Sequence, residues 1–318
     1  MRRLLAILAI VATLITAAAC TPDDNRAQLV TGRTRISLGV IPIVDVAPVY
    51  LGKQHGFFSS RGIDLTLVPE QGGAPIIKGV LAGRYQFGFS NMTSLMSARI
   101  GGAPLKVIAN GVASTGRPGR DFSAVMVRNG SPIHTARDLA GMRIAVNTLG
   151  NIGDTTIRQS VRKAGGDPSG IRFEAMPFPA MPGALQAGEV DAVWVVEPQL
   201  SETLTQGGQV VASNFVDTAA DLTVAGYFTT TGLMAKDPAL VARFTAAVNQ
   251  SLRYASEHPE EVRAIIGTYT KISDVVRTAM ILPVWPNDVN RASVERLAVL
   301  GRQDGVFPRA PVLDQLLP

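Results

Sequence analysis

Two alternating hydrophobic patterns divide most of the chain into strands and helices. Residues 36–40 and 63–68 alternate apolar and polar side chains as half-buried strands do. The next segment has its apolar residues on one helical face, with Pro75 suited to its first position and Gly83 to the position just past its end. The cycle continues as strand, helix and strand at 85–90, 93–100 and 105–109. A parallel or mixed sheet covered by helices is therefore predicted.

The same alternation begins again near residue 143 and gives way to a helical C-terminal region. Strands are predicted at 143–146, 173–178, 192–196 and 209–212, and helices at 154–164, 181–187 and 197–205. Helical periodicity dominates from residue 237 to the end. We therefore predict two α/β lobes, the first formed by 36–122 together with 228–318 and the second by the insertion 123–227. Extended crossovers at 123–128 and 223–227 are expected to act as hinges.

The first nineteen residues have the composition of an export signal. Arg2 and Arg3 form a short basic start, residues 4–15 are apolar apart from Thr13, and three small alanines lead to Cys20, the only cysteine. The apolar stretch is shorter than a transmembrane helix needs. The segment resembles the lipobox of bacterial lipoproteins, although Ala17 stands where that motif usually has leucine. The resemblance implies a lipid anchor on Cys20, followed by a flexible tether at 20–35. Plain cleavage after the alanines is the alternative.

Charge and motif content weigh against several functional classes. The formal net charge is +5, but the basic residues are scattered and form no block or stripe, so nucleic-acid binding is not expected. The three histidines, His55, His134 and His258, are far apart in sequence, and no HExxH, GxSxG or GxxxxGK[ST] motif occurs. We therefore expect no metal site, no cofactor and no catalytic activity.

An ordered series of short segments carries a family resemblance over nearly the whole chain after the signal. The longest pieces read APVYLGKQHGFF at 47–58, DLAGMRIAV at 138–146 and AGEVDA at 187–192. Shorter pieces lie at 62–64, 72–74, 81–83, 87–89, 102–106 and 194–198. In this order the series resembles the nitrate/sulfonate/taurine-type periplasmic solute-binding proteins, which share the NMT1/THI5-like fold.

The resemblance implies a type II periplasmic-binding-protein fold, with two α/β lobes joined by two hinge strands around a ligand cleft. It also implies an extracytoplasmic monomer that closes on a small solute and delivers it to the permease and ATPase of an ABC importer. Sulfonate, taurine or nitrate-like anions and aminopyrimidine-like solutes are both open as ligands. Docking to a receptor kinase is an alternative to transport. A pyrimidine-forming enzyme of the same fold is another, although the cysteine-rich motif of that branch is absent.

Ligands of open α/β sheets bind beyond the carboxyl ends of the strands, so the residues there are the candidate site. Paired glycines at 72 and 73, and again at 150 and 153, let a ligand approach the free N–H groups of a helix start. A simple turn explains either pair equally well. Trp194 is interpreted either as an apolar wall of the cleft or as a core residue. The predicted ligand contacts are Asp45, Gly72, Gly73, Ser90, Asn91, Thr93, Asn147, Asn151, Asp154, Phe178, Trp194, Glu197 and Tyr227.

Simple energetics indicate how such a site must work. One helix terminus contributes about 0.3 to 2 kcal/mol, whereas micromolar affinity needs about 8 kcal/mol. Neither lobe can supply that alone, so we expect closure to bury the ligand between groups from both lobes. The sequence leaves the charge of the ligand open: Asp45 and Glu197 suit N–H donors, whereas the loop arginines Arg117 and Arg120 suit an anion.

Overall fold

Two five-stranded sheets covered by helices make up the computed structural model, which describes residues 32–318. The predicted signal peptide at 1–19, Cys20 and the tether as far as residue 31 lie outside the described residues. The strands are β1 (Thr34–Val40), β2 (Ile63–Pro69), β3 (Phe87–Asn91), β4 (Leu105–Ala113), β5 (Ser123–Val127), β6 (Arg143–Val146), β7 (Arg172–Ala175), β8 (Ala192–Val196), β9 (Gln209–Ala212) and β10 (Thr223–Thr230).

The helices cover both faces of the sheets, and within residues 32–318 none is long and apolar enough to cross a membrane. They are α1 (Ala47–Gln54), α2 (Gly73–Leu81), α3 (Met92–Ile100), α4 (Ile152–Lys163), α5 (Met181–Ala187), α6 (Gln199–Thr205), α7 (Asn214–Thr218), α8 (Thr231–Lys236), α9 (Pro238–Glu257), α10 (Pro259–Ile266), α11 (Asp274–Ala279) and α12 (Arg291–Gln303). The long helix α9 packs on α1 and β4. Its Phe244 stacks on Phe87 of β3, with 3.7 Å between the ring centroids.

Both sheets have the same plan, which confirms the predicted two-lobed α/β fold. The strand orders are β2-β1-β3-β10-β4 and β7-β6-β8-β5-β9. In each sheet the first three strands are parallel, and the fourth runs antiparallel to its neighbours. The fourth strand is β10 in the first sheet and β5 in the second. In the sequence, β10 follows β9 of the second sheet, and β5 follows β4 of the first. Each lobe is therefore completed by a segment that arrives from its partner lobe.

The structure places the two expected hinge segments inside the sheets. Residues 123–127 are β5, which pairs with β8 and β9 in the second sheet. Residues 223–227 begin β10, which pairs with β3 and β4 in the first sheet, so the return crossover precedes residue 223. The assignment of each segment to a sheet depends on strand pairing, which the local sequence pattern does not specify. The role of these segments as hinges stays a prediction.

Several polar contacts join the two lobes. The guanidinium of Arg162 on α4 donates two hydrogen bonds to Asp304, just after α12, at 2.6 and 3.1 Å. The backbone N–H of Val44 in the first lobe donates to the carbonyl of Glu197 in the second, at 3.0 Å. The described lobes therefore touch directly at the strand ends, where the site was predicted.

Candidate functional site

A small cavity, here called the inner cavity, lies between the lobes at the carboxyl ends of β1, β3, β6 and β8. Its volume is about 30 Å³. Both lobes contribute to its wall, which consists of Ile41, Ile43, Asp45, Phe89, Asn91, Asn147, Ile152, Phe178, Trp194, Val196, Phe215, Val224 and Ala225. Five predicted ligand contacts thus meet in one place: Asp45, Asn91, Asn147, Phe178 and Trp194. The rule that ligands bind at strand ends selects these five, and a ligand contact by them stays a prediction.

Asp45 is the ionisable residue of this wall. It lies in a short 3-10 helix between β1 and α1, and its backbone carbonyl accepts a hydrogen bond from the indole N–H of Trp285 at 3.1 Å. Its side chain is buried, and Oδ1 has no hydrogen-bond partner among residues 32–318. Burial raises the pKa of this carboxyl to about 7, and the charge of Asp121 raises it further. Asp45 is therefore an acceptor that the described residues leave unsatisfied.

Aromatic rings of the second lobe form the opposite wall. Trp194 on β8 packs edge-on against Phe178 and Phe215, with ring centroids 5.4 and 6.0 Å away. Its indole N–H donates to the hydroxyl of Ser123 at 2.9 Å, which fixes the ring. Trp194 is thus a core residue and a cavity wall at once, so the two interpretations of the sequence are compatible. Phe215, on the unpredicted helix α7, is a wall residue that sequence reasoning misses.

The side-chain oxygens of the two cavity asparagines already accept hydrogen bonds within the protein. Asn91 ends β3 and accepts the backbone N–H of Ser94 at 2.9 Å, which caps helix α3. Asn147 accepts from the side-chain amide of Asn151 at 2.7 Å. Asn151 itself caps α4 through the N–H of Gly153 and does not line the cavity. What Asn91 and Asn147 can offer a ligand is therefore their NH₂ groups.

A second, larger pocket adjoins the inner cavity and is here called the outer pocket. It has a volume of about 380 Å³ and is lined by Ile41, Pro42, Ile43, Pro69, Glu70, Gln71, Pro177, Phe178 and Pro179. It shares Ile41, Ile43 and Phe178 with the inner cavity. The loops after β1 and β2 line one side and the loop after β7 the other, so this pocket also lies between the lobes. Its size is that of a pocket for a small organic molecule.

The remaining predicted acids use their side chains elsewhere. The carboxyl of Glu197 accepts from the N–H and hydroxyl of Ser201 at 3.1 and 2.9 Å, and from the N–H of Ile281 at 2.9 Å. Burial raises its pKa to about 7. Asp154 accepts from the N–H of Gly150 at 2.7 Å, and burial raises its pKa to about 6. Neither residue lines the inner cavity or the outer pocket, and a ligand contact by either stays a prediction.

Three predicted hydroxyl groups are buried and line neither pocket. Ser90 and Thr93 lie at the junction of β3 and α3, and Tyr227 lies on β10 beside Phe89. None of these hydroxyls has a hydrogen-bond partner among residues 32–318. Burial raises the pKa of Tyr227 well above its ordinary value. A ligand contact by these three residues stays a prediction.

The two predicted glycines at the start of α2 have different neighbours. A Cβ added to Gly72 would lie 2.9 Å from Cγ2 of Thr148 in the other lobe, so Gly72 permits close approach of the lobes. A Cβ added to Gly73 would lie 2.0 Å from the hydroxyl oxygen of Ser90, within its own lobe. Gly72 therefore matters for the contact between lobes and Gly73 for the packing of α2 on β3.

The loop arginines that sequence analysis linked to an anionic ligand lie elsewhere. Arg117 and Arg120 line a separate groove together with Arg263, and this groove shares no lining residue with either cleft pocket. Within residues 32–318 no three His, Cys, Asp or Glu side chains are grouped so that they could hold a metal ion.

Comparison with known proteins identifies a family. A family model described as NMT1/THI5 like matches residues 43–262. The chain is 28% identical over 198 residues to the nitrate import ATP-binding protein NrtC of Synechocystis sp., a match that spans 57% of this chain and 29% of NrtC. It is 23% identical over 236 residues to a putative aliphatic sulfonates-binding protein of Bacillus subtilis, which spans 72% of this chain and 68% of that protein.

Solved structures with this fold include binding proteins of import systems. One is the ligand-binding component of an ABC-type import system from Staphylococcus aureus, with a TM-score of 0.77, 15% identity, and coverage of 90% of this chain and 96% of that one. Another is the alkanesulfonate-binding protein SsuA from Xanthomonas axonopodis pv. citri, with a TM-score of 0.75, 18% identity, and coverage of 89% and 98%. The desulfurization enzyme DSZB also shares the fold, with a TM-score of 0.65, 16% identity, and coverage of 89% and 96%. At these identities the likeness concerns the fold alone.

Proposed function

Because this chain belongs to the NMT1/THI5-like family, we propose that it is the extracytoplasmic solute-binding component of an ABC importer. In this proposal the two lobes close around a small organic solute and present it to a permease. The relatives named for nitrate import and for sulfonate binding support the general role. The solute of this chain has to be argued from its own cleft.

One observation carries the proposal: the inner cavity is built from both lobes and contains a buried, unpartnered acceptor. Leaving a buried polar atom unpaired costs roughly 1 to 3 kcal/mol. Oδ1 of Asp45 carries that cost in the described structure. A solute that donates to this atom offsets the cost only when the lobes are closed, which couples binding to closure. Among residues 32–318, Asp45 is the only ionisable group in the wall, and no hydroxyl or histidine of that range accompanies it there. This composition suits binding better than catalysis.

Native mass spectrometry of the gently purified protein tests the solute-binding role. We expect a fraction of molecules to carry a retained small molecule, whose removal lowers the melting temperature. Small-angle scattering with and without that molecule should report a more compact particle when it is bound. A protein that retains nothing and has the same scattering profile with every candidate nutrient would contradict the role.

The lipid anchor on Cys20 is a separate part of the proposal. Two acyl chains give stable attachment, since each buried methylene contributes about 0.8 kcal/mol. The Cys20→Ala variant should therefore move the protein from the membrane fraction to the soluble fraction. Metabolic labelling with a fatty acid is the matched readout, and label should be lost with the cysteine. Unchanged membrane retention of the variant would refute the anchor.

Partner identity is the last part of the proposal. Genes for a permease and an ATPase beside this gene would support transport. A neighbouring receptor kinase gene would favour the sensing alternative.

A further inference from the structure

The inner cavity is a narrow extension of the outer pocket. Its volume of about 30 Å³ is far below the roughly 300 Å³ of a pocket for a whole small organic molecule, whereas the outer pocket has about 380 Å³. A solute bound here therefore has its head group in the inner cavity and the rest of its body in the outer pocket. The polar groups around the inner cavity decide which head group suits it.

The polar groups around this space also disfavour an anion. In the part of the chain that the structure describes, no lysine, arginine or histidine lines either of the two cleft pockets. Their ionisable residues are two acids, Asp45 and Glu70, and Glu70 already accepts the hydroxyl of Tyr85 at 2.6 Å. A third acid, Asp121, acts on Asp45 from nearby. An anion here would be desolvated next to negative charge, whereas an N–H donor would satisfy the unpartnered oxygen.

The outer pocket indicates what the rest of the molecule is like. Four of its nine wall residues are prolines, which have no backbone N–H to donate. Ile41, Ile43 and Phe178 add apolar surface at the passage into the inner cavity. Such a wall suits a flat apolar body and gives an anionic group few donors. The NH₂ groups of Asn91 and Asn147 remain for one neutral acceptor, such as a ring nitrogen or carbonyl oxygen.

We propose that the cleft selects a small aromatic or heterocyclic solute whose amine, amidine or ring N–H head lies on Asp45, and whose apolar body fills the proline-lined outer pocket. The acids in the walls disfavour nitrate-type and sulfonate-type anions. This inference rests on the proposed solute-binding function and narrows its solute.

An isosteric series of probes tests the inference. Benzamidine, benzamide and benzoate have nearly the same planar shape but differ in charge and in N–H donors. The full-length purified protein, freed of any retained molecule, is titrated with each by thermal shift and calorimetry. Benzamidine should bind at least about tenfold more tightly than benzoate, because a hydrogen bond to a charged group is gained only by the amidine. Benzenesulfonate, taurine and nitrate should give no stabilisation.

Two variants make the test specific to the cleft. Asp45→Asn keeps the size of the side chain and should abolish the preference for benzamidine over benzoate. Asp217→Asn removes an acid that lies outside both pockets and accepts from Ser160 and Lys163, and it should leave the preference unchanged. If Asp45→Asn does not fold, the order of affinities of the wild-type protein for benzamidine, benzamide and benzoate still tests the inference. A preference for benzamidine that survives in a folded Asp45→Asn protein would overturn the assignment.

The outcomes separate this inference from the function on which it rests. Stabilisation by benzoate, benzenesulfonate, taurine or nitrate, without benzamidine binding, would overturn the inference and leave solute binding intact. A retained anionic molecule in native mass spectrometry would do the same. A protein that neither binds any probe nor retains any molecule would end both. Benzamidine binding that Asp45→Asn removes would support both.

Discussion

The strands β1 and β6 occupy equivalent places in the two sheets, but the polar residues that follow them have different surroundings. After β1, Asp45 is buried in the cavity wall with an oxygen that has no partner in the described chain. After β6, the polar residues bind one another: Asn151 donates to Asn147, and Asp154 accepts from Gly150. Each lobe has a buried carboxyl oxygen without a partner among residues 32–318, Oδ1 of Asp45 in the first lobe and Oδ1 of Asp154 in the second, but of these two acids Asp45 alone lines the inner cavity.

This difference indicates a division of work within the cleft. The second lobe presents a firm apolar wall, since Trp194 is held by Ser123 and by rings on both sides. The first lobe presents the charged group that a solute would meet. Under the proposed function, the same architecture would supply recognition in one lobe and rigidity in the other. The predictions below test that division.

Removing the aromatic wall should have the largest effect. Trp194→Ala deletes a buried ring that contacts Phe178 and Phe215, and such deletions cost about 3 to 5 kcal/mol of unfolding free energy. Urea denaturation measures the loss. Binding of the solute should be lost as well, because the cavity would lose its wall. Trp194→Phe is the matched control, and it should cost less because a ring remains and mainly the bond to Ser123 is removed. If Trp194→Ala lowered the unfolding free energy by less than about 1 kcal/mol, the second lobe would not be rigid at this wall.

The buried acids of the two lobes should differ in their pH dependence. A pKa raised from 3.8 to about 7 means that folded Asp45 binds more protons than the unfolded chain, so the unfolding free energy falls as pH rises from about 4 to about 7. The full difference is roughly 4 kcal/mol at 1.36 kcal/mol per pKa unit. Asp45→Asn should remove this fall and stabilise the free protein at neutral pH. Besides burial, the charge of Asp121 raises the pKa of Asp45, and the charge of Asp45 in turn contributes to the raised pKa of Tyr227 and Tyr269.

Asp154→Asn is the counterpart in the second lobe. The pKa of Asp154 is raised only to about 6, by burial, with Arg158 opposing and Asp304 adding to the shift. The fall in stability that this variant removes should therefore end about one pH unit lower than for Asp45→Asn. Unfolding free energies measured from pH 4 to 8 give both ranges. Identical profiles for the two variants would contradict the difference between the more deeply buried acid of the cavity wall and the acid outside it.

Sequence reasoning predicts the framework of this fold well and its sheet membership less well. Strands at 143–146, 192–196 and 209–212 have the predicted bounds, because strong local patterns specify them. The strand predicted at 173–178 ends at Ala175, where Met176 and Pro177 lead into a turn. The short helices α7 and α8 were missed, since five or six residues carry too little periodicity. Which sheet takes residues 223–230 depends on distant strands that no local pattern encodes.

For the site, too, local sequence patterns indicate candidate residues but not the contacts between distant segments. Position at a strand end selects Asp45, Asn91 and Asn147, which line the cavity. It also selects Glu197, whose carboxyl accepts from Ser201 four residues later, a spacing visible in the sequence, and does not line the cavity. The apolar walls from Phe89 and Phe215 come from segments that meet only in the folded protein. Sequence therefore locates polar candidates, and packing decides which of them a solute can reach.

The smallest expected effect concerns two glycines that differ in which lobe they face. Gly72 has extended backbone, which valine accepts, and an added Cβ would lie 2.9 Å from Cγ2 of Thr148 across the cleft. Thr148 is held by Asn151, whose amide donates to its hydroxyl at 2.7 Å. Gly72→Val should leave the unfolding free energy within about 0.5 kcal/mol, because open lobes relieve the clash. Closure becomes unfavourable, so benzamidine affinity should fall by about tenfold.

Gly153 provides the contrast, because its added Cβ would lie 2.5 Å from the ring of Trp194 in the same lobe. Opening the cleft cannot relieve that clash, so Gly153→Ala should lower the unfolding free energy of the free protein by about 1 to 3 kcal/mol. Paired denaturation and calorimetry of the two variants measure both effects. If Gly72→Val destabilised the free protein as much as Gly153→Ala does, the contact at Gly72 would belong to the resting fold. Lobe movement would then not be part of recognition, and the cleft would bind without closing.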